Sequence, residues 1–187
     1  MTIAIIGWGS LIWCPGELRI SSLWHKDGPL LPIEFSRVSD DGRLTLVIVE
    51  GIKPVQTLWA ISEFNDIKKA VVNLQKCEDT IMSRIGQVMW NNDYEDPIKK
   101  QIKYWLIEKS LKSAIYTALP PRNPDDTEGL MTGNEALTYI KKLSKEKRKK
   151  AEEYVRNTPE QIETEIRERL RSKFGWNNNP LSQKLFE

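Results

Sequence analysis

Two short stretches hold the residue types best suited to chemistry. The first is Gly7-Trp8-Gly9-Ser10-Leu11, which follows the β-branched, apolar run of residues 2–6. A strand that ends in Gly-x-Gly-Ser brings several backbone N–H groups to one point. Glycine permits positive φ and lets a ligand approach the main chain closely. Clustered N–H donors make a concavity suited to a carboxylate or phosphate. The dinucleotide pattern G-x-G-x-x-G is not met, because Ile12 stands in the third position, and the Walker pattern is absent. Taken alone, such a turn reads first as a plain tight bend.

The second stretch contains Glu78. Ile67, Ala70, Val71 and Leu74 fall on one helical face. That helix is expected to end near Lys76, with Cys77, Glu78 and Asp79 in its last turn or just past it. A carboxylate in a partly desolvated cleft, with a like charge beside it, has its pKa raised toward neutrality and can serve as a general base. The plainer alternative is an exposed acid at a helix end. Arg37 is a further candidate: it can meet a substrate carboxylate, or pair with Glu34 or Asp41 at the surface. Of the seven tryptophans, most are expected in the core, and Trp8 and Trp13, which flank the turn, are the two placed to line a pocket.

Other chemistries find little support. His25 is the only histidine, and nothing near it has the spacing of a catalytic triad or a metal site. Cys14 and Cys77 form no CxxC pair, so a disulfide framework is not expected, and Cys77 has no histidine to activate it. No apolar run approaches the roughly 20 residues of a membrane span. The N-terminus begins a strand-like run without a basic flank, so neither a signal peptide nor a membrane is expected, and the reading is cytoplasmic. The net charge of +2 is uneven: residues 141–173 hold twelve Lys/Arg and seven Asp/Glu, a net +5, leaving −3 on the rest. A basic helical face can meet nucleic acid, yet Glu146, Glu152 and Glu153 interleave with the bases and Tyr154 is the single aromatic among them, which fits a solvated helix better.

The elements that must position these residues follow from periodicity. Residues 32–38 and 43–49 read as a hairpin around Asp40-Asp41-Gly42. Residues 55–61 read as one further strand. Ser62 is the expected N-cap of the helix before Glu78. Residues 81–90 read as irregular, with a strand over 86–90. Asp96-Pro97 opens a helix to about residue 108, and residues 112–119 form the last strand. Residues 134–144 and 145–156 are helical. Thr158-Pro159-Glu160-Gln161 has the form of a capping box, predicting a final helix from there to about Phe174, stopped by Gly175, with a loosely ordered tail over 176–187. The sum is one α+β domain across residues 1–187: a small mixed, barrel-like sheet packed by helices on one side, with a helical C-terminal extension over 134–174.

The turn and Glu78 together resemble the γ-glutamyl cyclotransferase-like superfamily. Its members carry Tyr-Gly-Ser-Asn/Leu-Leu after the first strand, and the ChaC-type branch has Gly-Tyr-Gly-Ser-Leu-x-Trp; here the chain reads Gly7-Trp8-Gly9-Ser10-Leu11-Ile12-Trp13. The family hairpin is similar to Phe35-Ser36-Arg37 through Gly42-Arg43-Leu44, and its Leu-x-x-x-Glu element is similar to Leu74–Glu78. The resemblance covers residues 1–120. It implies a lyase-type reaction that releases 5-oxoproline from a small γ-glutamyl amine or peptide, with Glu78 as the base, the N–H groups of Gly9, Ser10 and Leu11 on the α-carboxylate, and no cofactor. Trp8 stands where the family has tyrosine, and the helices after residue 130 are not typical of it. Two alternatives are a non-catalytic small-molecule binder of the same fold, and nucleic-acid or protein binding through the basic C-terminal helices.

Overall fold

The computed structural model describes residues 2–179. Its centre is β1 (Ile3–Gly7), buried along its whole length. β1 pairs antiparallel with β6 (Leu58–Ile61) and parallel with β8 (Ser113–Thr117), and β8 pairs antiparallel with β7 (Ile85–Met89). The order β6-β1-β8-β7 makes a mixed four-stranded sheet. The near-continuous apolar runs of β1 and β8 suit strands covered on both faces. A hairpin of β3 (Ile33–Val38) and β4 (Leu44–Ile48) and a short pair of β2 (Leu30–Leu31) with β5 (Val55–Gln56) complete the β structure. The class is α+β, as expected. The described strands form three separate sheets, and none closes into a barrel.

The strand expected over residues 55–61 is two. Thr57 interrupts it, because its carbonyl accepts from Gly28 N–H at 3.1 Å and its hydroxyl donates to Pro29 O at 2.6 Å. The chain changes partner there, from β2 to β1. Strand alternation puts Ile6, Trp59 and Tyr116 on one face of the large sheet and Thr117 on the other. Helix α2 (Pro97–Glu108) packs Trp105 edge-on against Trp59 with ring centroids 5.4 Å apart. Helix α1 (Ile67–Cys77) ends on the Thr117 side. Helices therefore lie against both faces, not one. No helix among the described residues is long and apolar enough to cross a membrane.

The caps correct the expected boundaries. The N-cap of α1 is Asp66, which accepts from Lys68 N–H at 2.8 Å; Ser62 instead accepts from Phe64 N–H. Asp96 caps α2 as its sequence predicts. Helix α3 (Gly133–Lys142) opens with a full capping box of Thr132 and Glu135, α4 (Lys145–Asn157) follows, and α5 (Glu165–Phe174) starts at Thr164, not at Thr158. The segment between α4 and α5 wraps the fully buried Arg167. Its guanidinium donates to the carbonyls of Val155, Thr158, Pro159 and Ile162. Pro159 O also accepts from Ile162 N–H at 3.0 Å, so the segment makes a single turn around the guanidinium and the helix begins only after it. Gly175 ends α5 at φ 70. The segment after it is packed as far as it is described: Trp176 is buried against Phe174, and Asn179 N–H donates to Arg156 O at 2.8 Å. The remainder of the expected tail, residues 180–187, lies outside the described residues.

Candidate active site

β1 runs into the turn at Gly7, and the local geometry explains both glycines. A Cβ at Gly7 would lie 2.7 Å from the Trp24 ring, and one at Gly9 would lie 2.5 Å from the Tyr154 hydroxyl. Gly9 has φ −123, so close packing, not positive φ, is what requires it. Residues Ser10–Ile12 form a single 3-10 turn closed by Ile12 N–H on Gly9 O at 3.1 Å. Trp8 is buried, and its indole N–H donates to Leu46 O at 3.2 Å, which ties the turn to β4. Its ring forms wall, and its only polar group serves the fold.

Glu78 is the C-cap of α1. Asp79, next to it, takes a left-handed φ of 44 and turns the chain away. The half-buried Glu78 side chain reaches the end of β8, where it accepts from the Thr117 hydroxyl at 3.2 Å. Burial pushes its carboxyl above the ordinary glutamate value, and the Thr117 bond offsets part of that rise. The expected contribution from Asp79 is absent: burial is the cause, and no neighbouring charge adds to it. A carboxyl in this state is a stronger base than an exposed one and keeps its proton to higher pH.

The turn and Glu78 meet in one cavity of about 250 Å³ at the carboxyl ends of β1 and β8. That is just under the roughly 300–1,000 Å³ of drug-sized sites, a scale that suits a small metabolite. Gly7, Trp8, Gly9, Ser10, Leu11, Arg37 and Glu78 all line it. Arg37 pairs with neither acid expected of it. It donates to Pro120 O at 2.8 Å, while Glu34 is buried at the start of α5 and accepts from Ile166 N–H, and Asp41 binds Arg43. Trp13 is displaced from the expected lining: it sits behind Tyr154, ring centroids 5.2 Å apart, and lines a neighbouring recess. His25 stacks on Trp59 away from the cavity, and Cys77 does not line it.

No protein-family model and no curated protein matches the chain. Sequence reasoning missed Tyr154, Arg43, Arg122 and Thr117, which all line the cavity. Tyr154 comes from the buried face of α4 and is a core residue as well. Its hydroxyl accepts from Leu46 N–H at 3.5 Å, and the Ser10 N–H bears on the same oxygen. Burial, with a smaller contribution from the charge of Glu78, raises its pKa well beyond the ordinary tyrosine value. It therefore stays protonated and offers an O–H donor at the wall of the cavity. One of the three N–H groups assigned to a ligand carboxylate, that of Ser10, is thus partly engaged by the protein itself.

Proposed function

We propose that the protein is a γ-glutamyl cyclotransferase-type enzyme that releases 5-oxoproline from a small γ-glutamyl compound. The observation that carries this reading is the meeting of the Gly7–Leu11 turn with Glu78, a carboxyl raised in pKa by burial, across one metabolite-sized cavity. The substrate's α-amine attacks its own γ-carbonyl carbon. Glu78 takes the proton released from that amine. The bond from the γ-carbon to the leaving nitrogen breaks, and Glu78 returns the proton to that nitrogen. The products are the five-membered lactam and a free amine, and no water or redox partner enters the balance. Because the attack is intramolecular, orientation supplies much of the rate. The N–H groups of Gly9 and Leu11 hold the α-carboxylate, and the neutral Tyr154 hydroxyl can donate to a developing oxyanion.

The binder reading expects Glu78 to face solvent away from Gly9 and Ser10, and the cavity lining runs against that. The nucleic-acid reading loses several of its cations to internal pairs: Arg156 with Glu152, Arg169 with Glu165, and Arg171 with Glu163. The test is 5-oxoproline release from γ-glutamyl compounds. Glu78→Gln should lower kcat by about 10²-fold or more, the usual contribution of a positioned general base. Full activity in a folded Glu78→Gln protein would overturn the mechanism.

A further inference from the structure

Arg37 and Arg122 stand side by side because the backbone holds them there. Residues 120–122 run alongside β3, with Arg122 N–H on Ser36 O at 3.0 Å, Val38 N–H on Arg122 O at 2.8 Å, and a parallel bridge between residues 37 and 122. Both side chains line the cavity. Arg122 uses Nε on Val38 O at 2.7 Å and one terminal nitrogen on the exposed Asp40 at 2.6 Å. Arg37 makes one bond, to Pro120 O, and among the described residues no carboxylate pairs with it. A guanidinium carries five N–H donors in a fixed fork, so most of Arg37's capacity is open toward the cavity. Its charge is also held at a net disadvantage, first by burial and then by Arg122, with Arg84 adding to it, while Asp40 and Asp126 offset only part. Two adjacent like charges in a half-buried cavity are relieved by an anion between them.

The register sets this pair apart from the turn. Leu46 adjoins the turn, through Trp8 and Tyr154. Arg37 pairs with Thr45, one residue further along the hairpin, and Arg122 lies beside Arg37 on the way to the Asp40–Gly42 tip. At roughly 3.3 Å per residue, Arg37 is set about one residue along the hairpin from the position that adjoins the turn, toward the tip. We propose that Arg37 and Arg122 seat an anionic group on the leaving side of the substrate, so that the protein acts on γ-glutamyl amino acids or peptides rather than on γ-glutamyl amines that lack a carboxylate. This rests on the cyclotransferase reading of the same cavity.

The test compares γ-glutamylalanine with γ-glutamyl ethylamine, which is the same molecule without the alanine carboxylate. Charge-assisted, fork-to-carboxylate bonds give an expected kcat/KM preference of about 10–100-fold for γ-glutamylalanine. In Arg37→Met that ratio should fall to within about 3-fold. A ratio taken within one variant does not depend on how much of the variant is folded. A parent that treats both compounds alike, or a preference that survives Arg37→Met, overturns the seat. Should neither compound yield 5-oxoproline, the cyclotransferase reading fails and calorimetry decides the seat separately. Tighter binding of γ-glutamylalanine that is lost in Arg37→Met supports it, and equal affinity for the two compounds overturns it.

Discussion

At the scale of single residues, Glu78 joins function to stability through one desolvated carboxyl. Its folded pKa is raised, so the folded protein binds that proton more tightly than the unfolded chain does. Such a group contributes stability that is fully present below the ordinary glutamate value and is lost as pH rises through the folded value. The ionised form, which the proposed chemistry needs, is therefore the form the fold tolerates less well. Two outcomes follow. The rate of 5-oxoproline release should rise with pH through a limb displaced above ordinary glutamate titration. Glu78→Gln, neutral throughout, should melt above the parent at neutral pH, with the difference shrinking toward acid. Thermal melts of the two proteins across that range check this, and a variant that is less stable than the parent at neutral pH would show that the carboxyl is not desolvated. The candidate itself was legible from sequence because helix periodicity and a C-terminal acid are local signals. What the sequence could not give was which of the two expected causes acts, burial or the charge of Asp79, nor the Thr117 partner, which reaches Glu78 from a strand distant in the chain.

At the scale of elements, the C-terminal helices hold the β3–β4 hairpin at three points. Tyr139 of α3 donates to Gly42 O at 2.8 Å, Tyr154 of α4 accepts from Leu46 N–H, and Ile166 of α5 donates to Glu34 at 3.3 Å. The extension is therefore part of the cavity wall and not an appendage. The hairpin was legible because period-two alternation and Asp-Gly are local. The contribution of α4 was not, since a tyrosine on the apolar stripe of a helix looks the same in sequence whether it meets core or cavity. Arg122 was equally hidden, because it sits in a proline-bearing loop whose pairing with Arg37 is tertiary. The contact between Tyr154 and Gly9 gives the sharpest test at this scale. Gly9→Ala would drive a Cβ to 2.5 Å from the hydroxyl, and the ring cannot retreat easily between Trp13 and Phe35. A destabilisation of about 1–3 kcal/mol is expected for such overpacking. Tyr154→Phe alone should cost about 1 kcal/mol for its hydrogen bond. Together they should cost less than the sum, by about 1 kcal/mol, because removing the hydroxyl makes room for the new methyl group. Strictly additive denaturation midpoints would mean that the two residues do not touch.

At the scale of the whole molecule, the junction of α4 and α5 decides whether the helical layer stays on the sheet. The sequence pattern Thr158-Pro159-Glu160-Gln161 predicts a helix start, and local rules favour it. Arg167 overrides them by gathering the main-chain carbonyls that end α4 and those of the following segment, with Pro159 O at 2.6 Å and Ile162 O at 2.7 Å. It also reaches the Asn178 side chain at 3.1 Å, which ties down the chain beyond α5. A cation near carbonyls at a helix C-terminus is favoured by the helix dipole as well. Its burial is complete, and it meets carbonyl dipoles where a carboxylate partner would be usual. Removing the side chain orphans several buried acceptors, each worth about 1–3 kcal/mol. Arg167→Ala should therefore destabilise the protein by about 3 kcal/mol or more, a melting-temperature fall of roughly 6–12 °C for a chain of this size. Arg167→Lys should recover little, since a point charge on a flexible stem cannot span carbonyls arranged for a planar fork. Because α4 carries Tyr154, loosening this junction should also open the cavity before the sheet itself unfolds. Amide exchange should then rise first in α4 and at Leu46, with β1 and β8 still protected. Uniform loss of protection across helices and sheet would show that the junction and the cavity wall are not linked in this way.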